Sequence, residues 1–237
     1  MDSQSTKYLP GGFDQFINFD KSVDFNKKKI LFIGSGLEKL LLKADLSLFS
    51  SIYFIVNDHE SLMNTRIILS DKKNINVRMM EFDNTDFESE EFDMVYSQGL
   101  HQDDKKNKNV KEIKRILKPE GIFCVSEFVK LEDELPKFIS DLYSNYGIDP
   151  LLIDKLKEYY VERKFEVISE TDLSNTLKKY YKSWNDMLDD NIKKLTENEK
   201  QQNKKLIKRI GHESNAYLQL GGSKYMGFKM LILKKGK

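Results

Sequence analysis

The sequence predicts a doubly wound α/β domain, in which a parallel sheet is covered by helices on both faces. Short apolar runs rich in β-branched and aromatic residues alternate with segments of helical periodicity through the first half of the chain. This alternation is the pattern of a parallel sheet with crossover helices. A glycine turn, Gly34-Ser35-Gly36, directly follows the first apolar run. Ligands of such sheets bind beyond the carboxyl ends of the strands, beside the first strand, and the turn lies there.

The first half contains five predicted strands separated by helices or loops. The strands cover residues 29–33, 51–58, 76–83, 91–98 and 121–128. Helices are expected at 37–49 and 61–70. A further helix runs through Val110 and Ile113, and Pro119 is expected to end it.

The second half continues with two helices, near 133–146 and 150–163, and a strand at 165–169. The chain closes with the strongly apolar run "YMGFKMLILKK". We expect one domain over 1–237, with an N-terminal arm (1–26), a core (27–173), a helical insertion (174–223) and a last strand (224–237).

Composition excludes several classes of protein. A formal net charge of +1 over 237 residues argues against a dedicated nucleic-acid binder, which needs a basic excess. The single cysteine, Cys124, excludes an internal disulfide and a cysteine-built zinc site, so no metal is expected. No apolar run reaches membrane-spanning length, and the polar start has no apolar signal region. These features indicate a cytoplasmic protein without membrane insertion.

The glycine turn and two acidic positions point to a ligand that contains adenosine. Asp58 ends the second strand, where a carboxylate can accept both ribose hydroxyls. Asp83-Asn84 ends the third strand, where a carboxylate can accept the adenine amino group. The turn and Asp58 alone fit NAD as well as S-adenosylmethionine.

The order of the later motifs favours one of these cofactors. "NDHESLM", "FDNTD", "EFDMVYS" and "RILKPEGIF" follow the glycine turn in sequence. This run resembles class I S-adenosylmethionine-dependent methyltransferases over about residues 28–130 and the final strand. The resemblance implies a Rossmann-like seven-stranded sheet whose last strand is antiparallel, and S-adenosylmethionine as cofactor.

The resemblance also assigns roles to individual residues. The cofactor-binding residues it implies are Gly34, Ser35, Gly36, Asp58, His59, Met63, Asp83, Asn84 and Ser97, with Gln98 beside Ser97 in the pocket. Met63 is equally compatible with an ordinary core methionine, and His59 with a surface histidine.

Two residues depart from the family pattern at the methionine end of the cofactor. Phe32 replaces the acidic residue of the first strand, and Glu38 replaces the third glycine. Glu38 would either repel the cofactor's carboxylate or turn inward and hold its ammonium group. These changes keep open a second hypothesis, a catalytically degenerate fold that binds a protein partner.

The acceptor side has no strong catalytic motif. His101, in the loop after the fourth strand, is the candidate general base, although a local structural histidine explains it too. The insertion carries Tyr180, Tyr181 and Trp184 at helical spacing, and together with Tyr8 these rings are expected to cover the acceptor. The alternative is an amphipathic helix docked on the sheet.

The function predicted is methyl transfer from S-adenosylmethionine to a small molecule. The sequence leaves the acceptor atom open between nitrogen, oxygen and carbon. An NAD-dependent oxidoreductase is a weaker alternative, since its third glycine is missing as well.

Overall fold

The computed structural model describes residues 9–99, 105–145 and 147–236, which form a seven-stranded sheet. The strands are β1 (Lys29–Ile33), β2 (Ser51–Val56), β3 (Ile75–Met79), β4 (Phe92–Ser97), β5 (Leu117–Lys130), β6 (Phe165–Asp172) and β7 (Met226–Lys235). Their order across the sheet is β3-β2-β1-β4-β5-β7-β6. The first five strands pair in parallel, and β7 runs antiparallel to both β5 and β6. The predicted fold class is confirmed.

Helices cover both faces of this sheet. They are α1 (Asp14–Ser22), α2 (Glu38–Lys43), α3 (His59–Ile68), α4 (Lys106–Ile116), α5 (Lys137–Asn145), α6 (Lys155–Glu162), α7 (Leu177–Lys194), α8 (Glu197–Gln202) and α9 (Lys204–Leu218). Buried residues of α4 and α6 pack on one face, and those of α1, α2, α3, α5, α7 and α9 pack on the other. In the part of the chain described, no helix is both long and apolar enough to cross a membrane.

Two predicted helix ends were wrong. The helix expected over 37–49 ends at Lys43, because the backbone of Ala44 is extended. Pro119 does not end α4, which already stops at Ile116; it lies inside β5. The proline is tolerated there because the pairing of β4 with β5 is interrupted around it. The N–H that proline lacks is therefore not needed for a hydrogen bond between these strands.

The N-terminal segment was predicted as a polar arm, but it contains α1. Phe16 and Phe19 are buried and pack against the ring of Tyr96 on β4, with centroid distances of 5.9 and 5.4 Å. Gln15 is fully buried and donates its side-chain amide to the carbonyl of Ser97 at 2.9 Å. The segment is therefore part of the core beside the carboxyl end of β4.

A loop, not a helix, connects β3 to β4, and one glutamate fixes it. The carboxylate of Glu112 on α4 accepts the backbone N–H of Thr85 at 2.9 Å and two guanidinium hydrogen bonds from Arg115. Arg115 also donates to the carbonyl of Phe87 at 2.8 Å. Burial alone would raise the pKa of Glu112, but the hydrogen bonds from Arg115 and Thr85 outweigh it and hold this pKa below its ordinary value.

Candidate active site

A cavity of about 470 Å³ lies at the carboxyl ends of the parallel strands, between the glycine turn and the inserted helices. Its volume falls within the range of small-molecule sites, roughly 300–1,000 Å³. Its lining consists of Leu9, Pro10, Ile33, Gly34, Ser35, Asn57, Phe82, Gln98, Gly99, Phe128, Leu142, Tyr143, Ile148, Tyr180, Tyr181, Trp184, Arg209, Ile210, Glu213, Ser214 and Met226. The glycine turn and the aromatic residues of the insertion therefore line the same cavity.

The glycine turn leaves room for a ligand. Gly34 has φ +108°, and a Cβ built there would meet no atom within 4 Å. Its N–H donates to the carbonyl of Ile55 on β2 at 3.0 Å, which holds the turn against the sheet. Gly36 has φ +95°, and a Cβ there would lie 3.0 Å from the side chain of Leu9. Both positions favour glycine for their backbone conformation, and Gly36 for close packing as well.

A short strap, residues 9–12, crosses the cavity from the N-terminal side. The side-chain amide of Gln98 donates to the carbonyls of Pro10 and Gly12, both at 2.8 Å, and its oxygen accepts from the Tyr96 hydroxyl at 3.0 Å. The N–H of Gly11 donates to the Thr176 hydroxyl, which lies just before α7, at 3.0 Å. Gln98 therefore fixes the strap on the sheet and lines the cavity at the same time.

Three of the predicted adenosine-side residues, Asp58, His59 and Met63, are exposed and do not line the cavity. Asp58 is the N-cap of α3, where its carboxylate accepts the N–H of Ser61 at 2.8 Å. His59 is exposed, and Met63 is 47% exposed, which excludes the core-methionine alternative. The predicted roles of Asp58, His59 and Met63 stay predictions.

The prediction that Asp83 and Asn84 end the third strand was wrong, because β3 ends at Met79 and both residues lie in the turn that follows it. Asp83 is largely buried and lies 3.5 Å from the ammonium of Lys105, while Asn84 is exposed. The cavity itself is lined by the residue directly before each acidic position, Asn57 before Asp58 and Phe82 before Asp83. These neighbours were not predicted from the sequence, and both lie beyond the observed strand ends, Val56 and Met79.

Ser97 is fully buried at the end of β4, and its hydroxyl has no hydrogen-bond partner among the described residues. It does not line the cavity, whereas Gln98 beside it does. Cys124 is fully buried on β5, as expected from its apolar run, and burial raises the pKa of its thiol far above the usual range.

The two departures from the family pattern are both buried. Phe32 is fully buried and packs against Tyr96 at a centroid distance of 5.4 Å. Glu38 does not turn toward the cavity; its carboxylate accepts the hydroxyl of Thr65 on α3 at 2.6 Å. The expectation of repulsion or of ammonium binding by Glu38 therefore has no support in this arrangement. A cofactor ammonium group receives no carboxylate from β1 or from Glu38.

The structure brings the predicted aromatic residues of the insertion together at the cavity, and their role in covering an acceptor stays a prediction. Tyr180, Tyr181 and Trp184 all belong to α7 and line it. The Tyr180 ring lies 4.8 Å from that of Tyr181 and 6.2 Å from that of Trp184, in both cases nearly perpendicular. Tyr8 and the proposed base His101 lie outside the described residues.

Glu213 and Tyr143 are among the polar cavity residues that were not predicted. Glu213 on α9 accepts a hydrogen bond from the Tyr181 hydroxyl at 3.1 Å. Tyr143 on α5 is 4% exposed, and its hydroxyl has no hydrogen-bond partner in the described part of the chain. Burial raises the pKa of both tyrosines far above the usual range, and the negative charge of Glu213 adds to the effect. Both hydroxyls therefore stay protonated donors near neutral pH.

The profile of a family described as a methyltransferase domain matches residues 52–211. The chain belongs to this family. Its resemblance to class I S-adenosylmethionine-dependent methyltransferases, drawn from the sequence, is confirmed. None of the curated proteins matches the sequence.

Solved structures share the fold at low sequence identity. The [4+2]-cyclase SpnF aligns with a TM-score of 0.75 and 16% identity, covering 94% of this chain and 79% of that one. Phosphoethanolamine N-methyltransferase 2 of Haemonchus contortus aligns with a TM-score of 0.75 and 15% identity, over 97% of this chain and 54% of that one. The chain thus spans about half the length of the latter. Geranyl diphosphate C-methyltransferase of Streptomyces coelicolor A3(2) aligns with a TM-score of 0.68 and 9% identity, covering 94% of this chain and 78% of that one.

These likenesses establish the fold and not the reaction. One of the three proteins is named as a cyclase and two as methyltransferases acting on different atoms. A shared fold carries different chemistries, so the activity has to be argued from the cavity itself.

Proposed function

We propose that the protein transfers a methyl group from S-adenosylmethionine to a small-molecule acceptor. The observation that carries this proposal is the single cavity that joins the glycine turn to the aromatic rings of α7. Membership of a methyltransferase-domain family supports it. Two of the related folds are named with small molecules of different kinds, phosphomonomethylethanolamine and geranyl diphosphate, which fits an acceptor pocket that varies within one architecture.

The residues at the glycine end fit the cofactor. Gly34 offers open space above a backbone that no side chain obstructs. The predicted contacts are the ribose with Asp58 and the adenine with the loop after β3, where Phe82 supplies an apolar face and Asp83 a carboxylate. S-adenosylhomocysteine accompanies the structures of the N- and C-methyltransferases named above, which supports the same choice here.

The cofactor supplies a methyl carbon bonded to a positively charged sulfur; an acceptor lone pair forms the new bond as the carbon–sulfur bond breaks, leaving S-adenosylhomocysteine. The chain's own task is to align the acceptor and to exclude water. The strap held by Gln98 closes one side, and the helices of 174–223 close the other as a lid. A general base is needed only for an acceptor that carries a proton with no easy exit, and His101 remains the candidate.

The acceptor is a small molecule because the cavity is enclosed by aromatic and aliphatic side chains and the net charge is close to neutral. A nucleic-acid substrate would require a basic surface. The whole chain would act as one domain with the inserted lid, and its buried free thiol fits a reducing, cytoplasmic location.

A second candidate is a protein that keeps the fold and the cavity but has lost methyl transfer. Phe32, fully buried on β1, and Glu38, bonded to Thr65, favour it because neither supplies a carboxylate for the cofactor's ammonium group. Such a protein would bind a partner or a ligand without turnover.

Calorimetric titration with S-adenosylmethionine and S-adenosylhomocysteine, with NAD as control, tests the proposal. We expect saturable binding of both sulfur compounds and none of NAD. Asp58→Asn should weaken binding about tenfold or more, because it removes a charged acceptor from the ribose while keeping a good helix cap. Absence of binding at millimolar cofactor would contradict the proposal and favour the second candidate.

Asp45→Asn is the matched control. Asp45 is likewise exposed, and its carboxylate likewise accepts a nearby backbone N–H, that of Ser47 at 3.0 Å. It lies outside the cavity lining, so its substitution should leave cofactor affinity unchanged. Equal loss in both variants would mean that Asp58 acts only through local structure.

A further inference from the structure

We propose that the end of the cavity beneath α7 and α9 binds a small organic ammonium ion that also carries an oxygen atom. Glu213 and the surrounding aromatic rings provide the recognition. As the identity of the acceptor, this inference rests on the proposed methyl transfer, for which a protonated amine would first release a proton to water and so expose the lone pair that forms the new bond. As a binding site, it stands on its own contacts.

The carboxylate of Glu213 gives the site its negative charge. It is partly buried at the cavity wall, and Tyr181, which is almost fully buried, donates its hydroxyl to one carboxylate oxygen at 3.1 Å. This bond fixes the orientation of the carboxylate before a ligand arrives. A positioned carboxylate in a partly desolvated wall attracts an ammonium group more strongly than one in bulk water.

Aromatic residues line the same cavity as Glu213, among them Tyr180, Trp184 and Phe128. Tyr180 and Trp184 meet at 75° with centroids 6.2 Å apart, and Phe128 on β5 meets Tyr180 at 58° and 6.4 Å. Rings at such angles form a corner that surrounds a ligand from several sides. Aromatic faces attract ammonium groups through their quadrupole, and most strongly where water is excluded.

Two buried polar atoms indicate the oxygen. The Tyr143 hydroxyl and the Trp184 indole N–H both belong to cavity-lining residues, and neither finds a hydrogen-bond partner among the described residues. Buried donors without partners are unfavourable, so native proteins rarely keep them without a ligand or water to accept the bond. An oxygen on the ligand would satisfy one or both.

Arg209 brings a positive charge to the same lining, one helical turn before Glu213. Its side chain is exposed, however, so solvent screens its repulsion of a cation more than it screens the attraction of the partly buried Glu213. The site therefore retains a preference for a positive ligand.

The protein contains one tryptophan, Trp184, so its emission reports binding in this cavity directly. The probes are choline and 3,3-dimethylbutan-1-ol, which has the same shape and hydroxyl but carbon in place of the charged nitrogen. We expect choline to bind at least about tenfold more tightly, as a cation over aromatic faces beside a carboxylate should. Equal affinities, or no saturable emission change with choline, would overturn the inference.

Two variants locate the source of the preference. Glu213→Gln should reduce the preference for choline to about threefold or less, since the charge is lost while the shape is kept. Asp190→Asn is the control, because Asp190 lies on α7 with its side chain 72% exposed and should leave the preference unchanged. A preference unaltered in Glu213→Gln would overturn the assignment. If that variant fails to fold, the two probes on the native chain still decide.

A failure of the ammonium site can be distinguished from a failure of the proposed methyl transfer. Calorimetry with S-adenosylhomocysteine on the same preparation tests the cofactor site independently of the lid. Cofactor binding without discrimination between the two probes overturns the ammonium site alone. Discrimination without cofactor binding overturns the methyltransferase proposal and leaves a cation-binding protein.

Discussion

Replacing Gln98 by methionine should loosen the strap and destabilise the fold. The amide of Gln98 makes two hydrogen bonds to strap carbonyls at 2.8 Å and accepts one from Tyr96 at 3.0 Å. Gln98, Pro10 and Gly12 are all buried, so methionine would leave the two strap carbonyls and the Tyr96 hydroxyl without their hydrogen-bond partner. Methionine keeps the length and volume of the side chain, which limits the change to polarity.

The expected loss in the free energy of unfolding is about 2–4 kcal/mol, from three buried hydrogen bonds at about 1 kcal/mol each. Equilibrium urea unfolding measures it: with a slope of about 2–3 kcal/mol per molar, the midpoint should fall by about 1 M. Gln201→Met, at an exposed position of α8, should leave the midpoint near that of the native protein. An unchanged midpoint in Gln98→Met, or equal shifts in both variants, would refute the reasoning.

Two further predictions concern the strap glycine and the acid response. Gly11→Ala should lower the free energy of unfolding by at least about 1 kcal/mol more than Gly147→Ala does. Both positions have a positive φ, but only at Gly11 does the added Cβ meet a ring, that of Phe228 at 2.9 Å. Equal losses in urea unfolding would refute this. The pKa of Glu112 is lowered on folding, so its contribution to stability is complete above the ordinary value of 4.5 and is lost as the pH falls through the lower folded value. The free energy of unfolding of Glu112→Gln should therefore fall less steeply between about pH 5 and 3 than that of the native chain. The control Glu60→Gln, at an exposed position, should follow the native curve. Parallel curves for Glu112→Gln and the native chain would contradict the prediction.

The presence and parallel direction of the first five strands could be predicted because short apolar runs alternate with segments of helical periodicity. The glycine turn could also be recognised from the sequence, because the requirement for a positive φ at Gly34 and Gly36 is local. The antiparallel last strand came from the family resemblance. Helix ends were less accurate because extended residues such as Ala44 carry no composition signal.

The residues missed by sequence reasoning depend on contacts between distant segments. Gln15 looks like a surface residue of a polar arm, and only the packing of α1 against β4 buries it. Tyr143 and Glu213 meet in one cavity although 70 positions separate them. The sequence left Glu38 either repelling the cofactor's carboxylate or holding its ammonium group. Its carboxylate does neither, because it accepts a hydrogen bond from Thr65 on another helix.

The most direct test of the account is whether the cofactor's methyl group faces the aromatic lid. S-adenosylmethionine labelled with ¹³C at its methyl carbon would be bound to the protein, and isotope-edited NMR would detect protons close to that methyl group. We expect contacts to aromatic ring protons, of which the indole signals disappear in Trp184→Phe. A bound methyl group with no aromatic contacts would contradict a reaction site shared by the glycine turn and the lid.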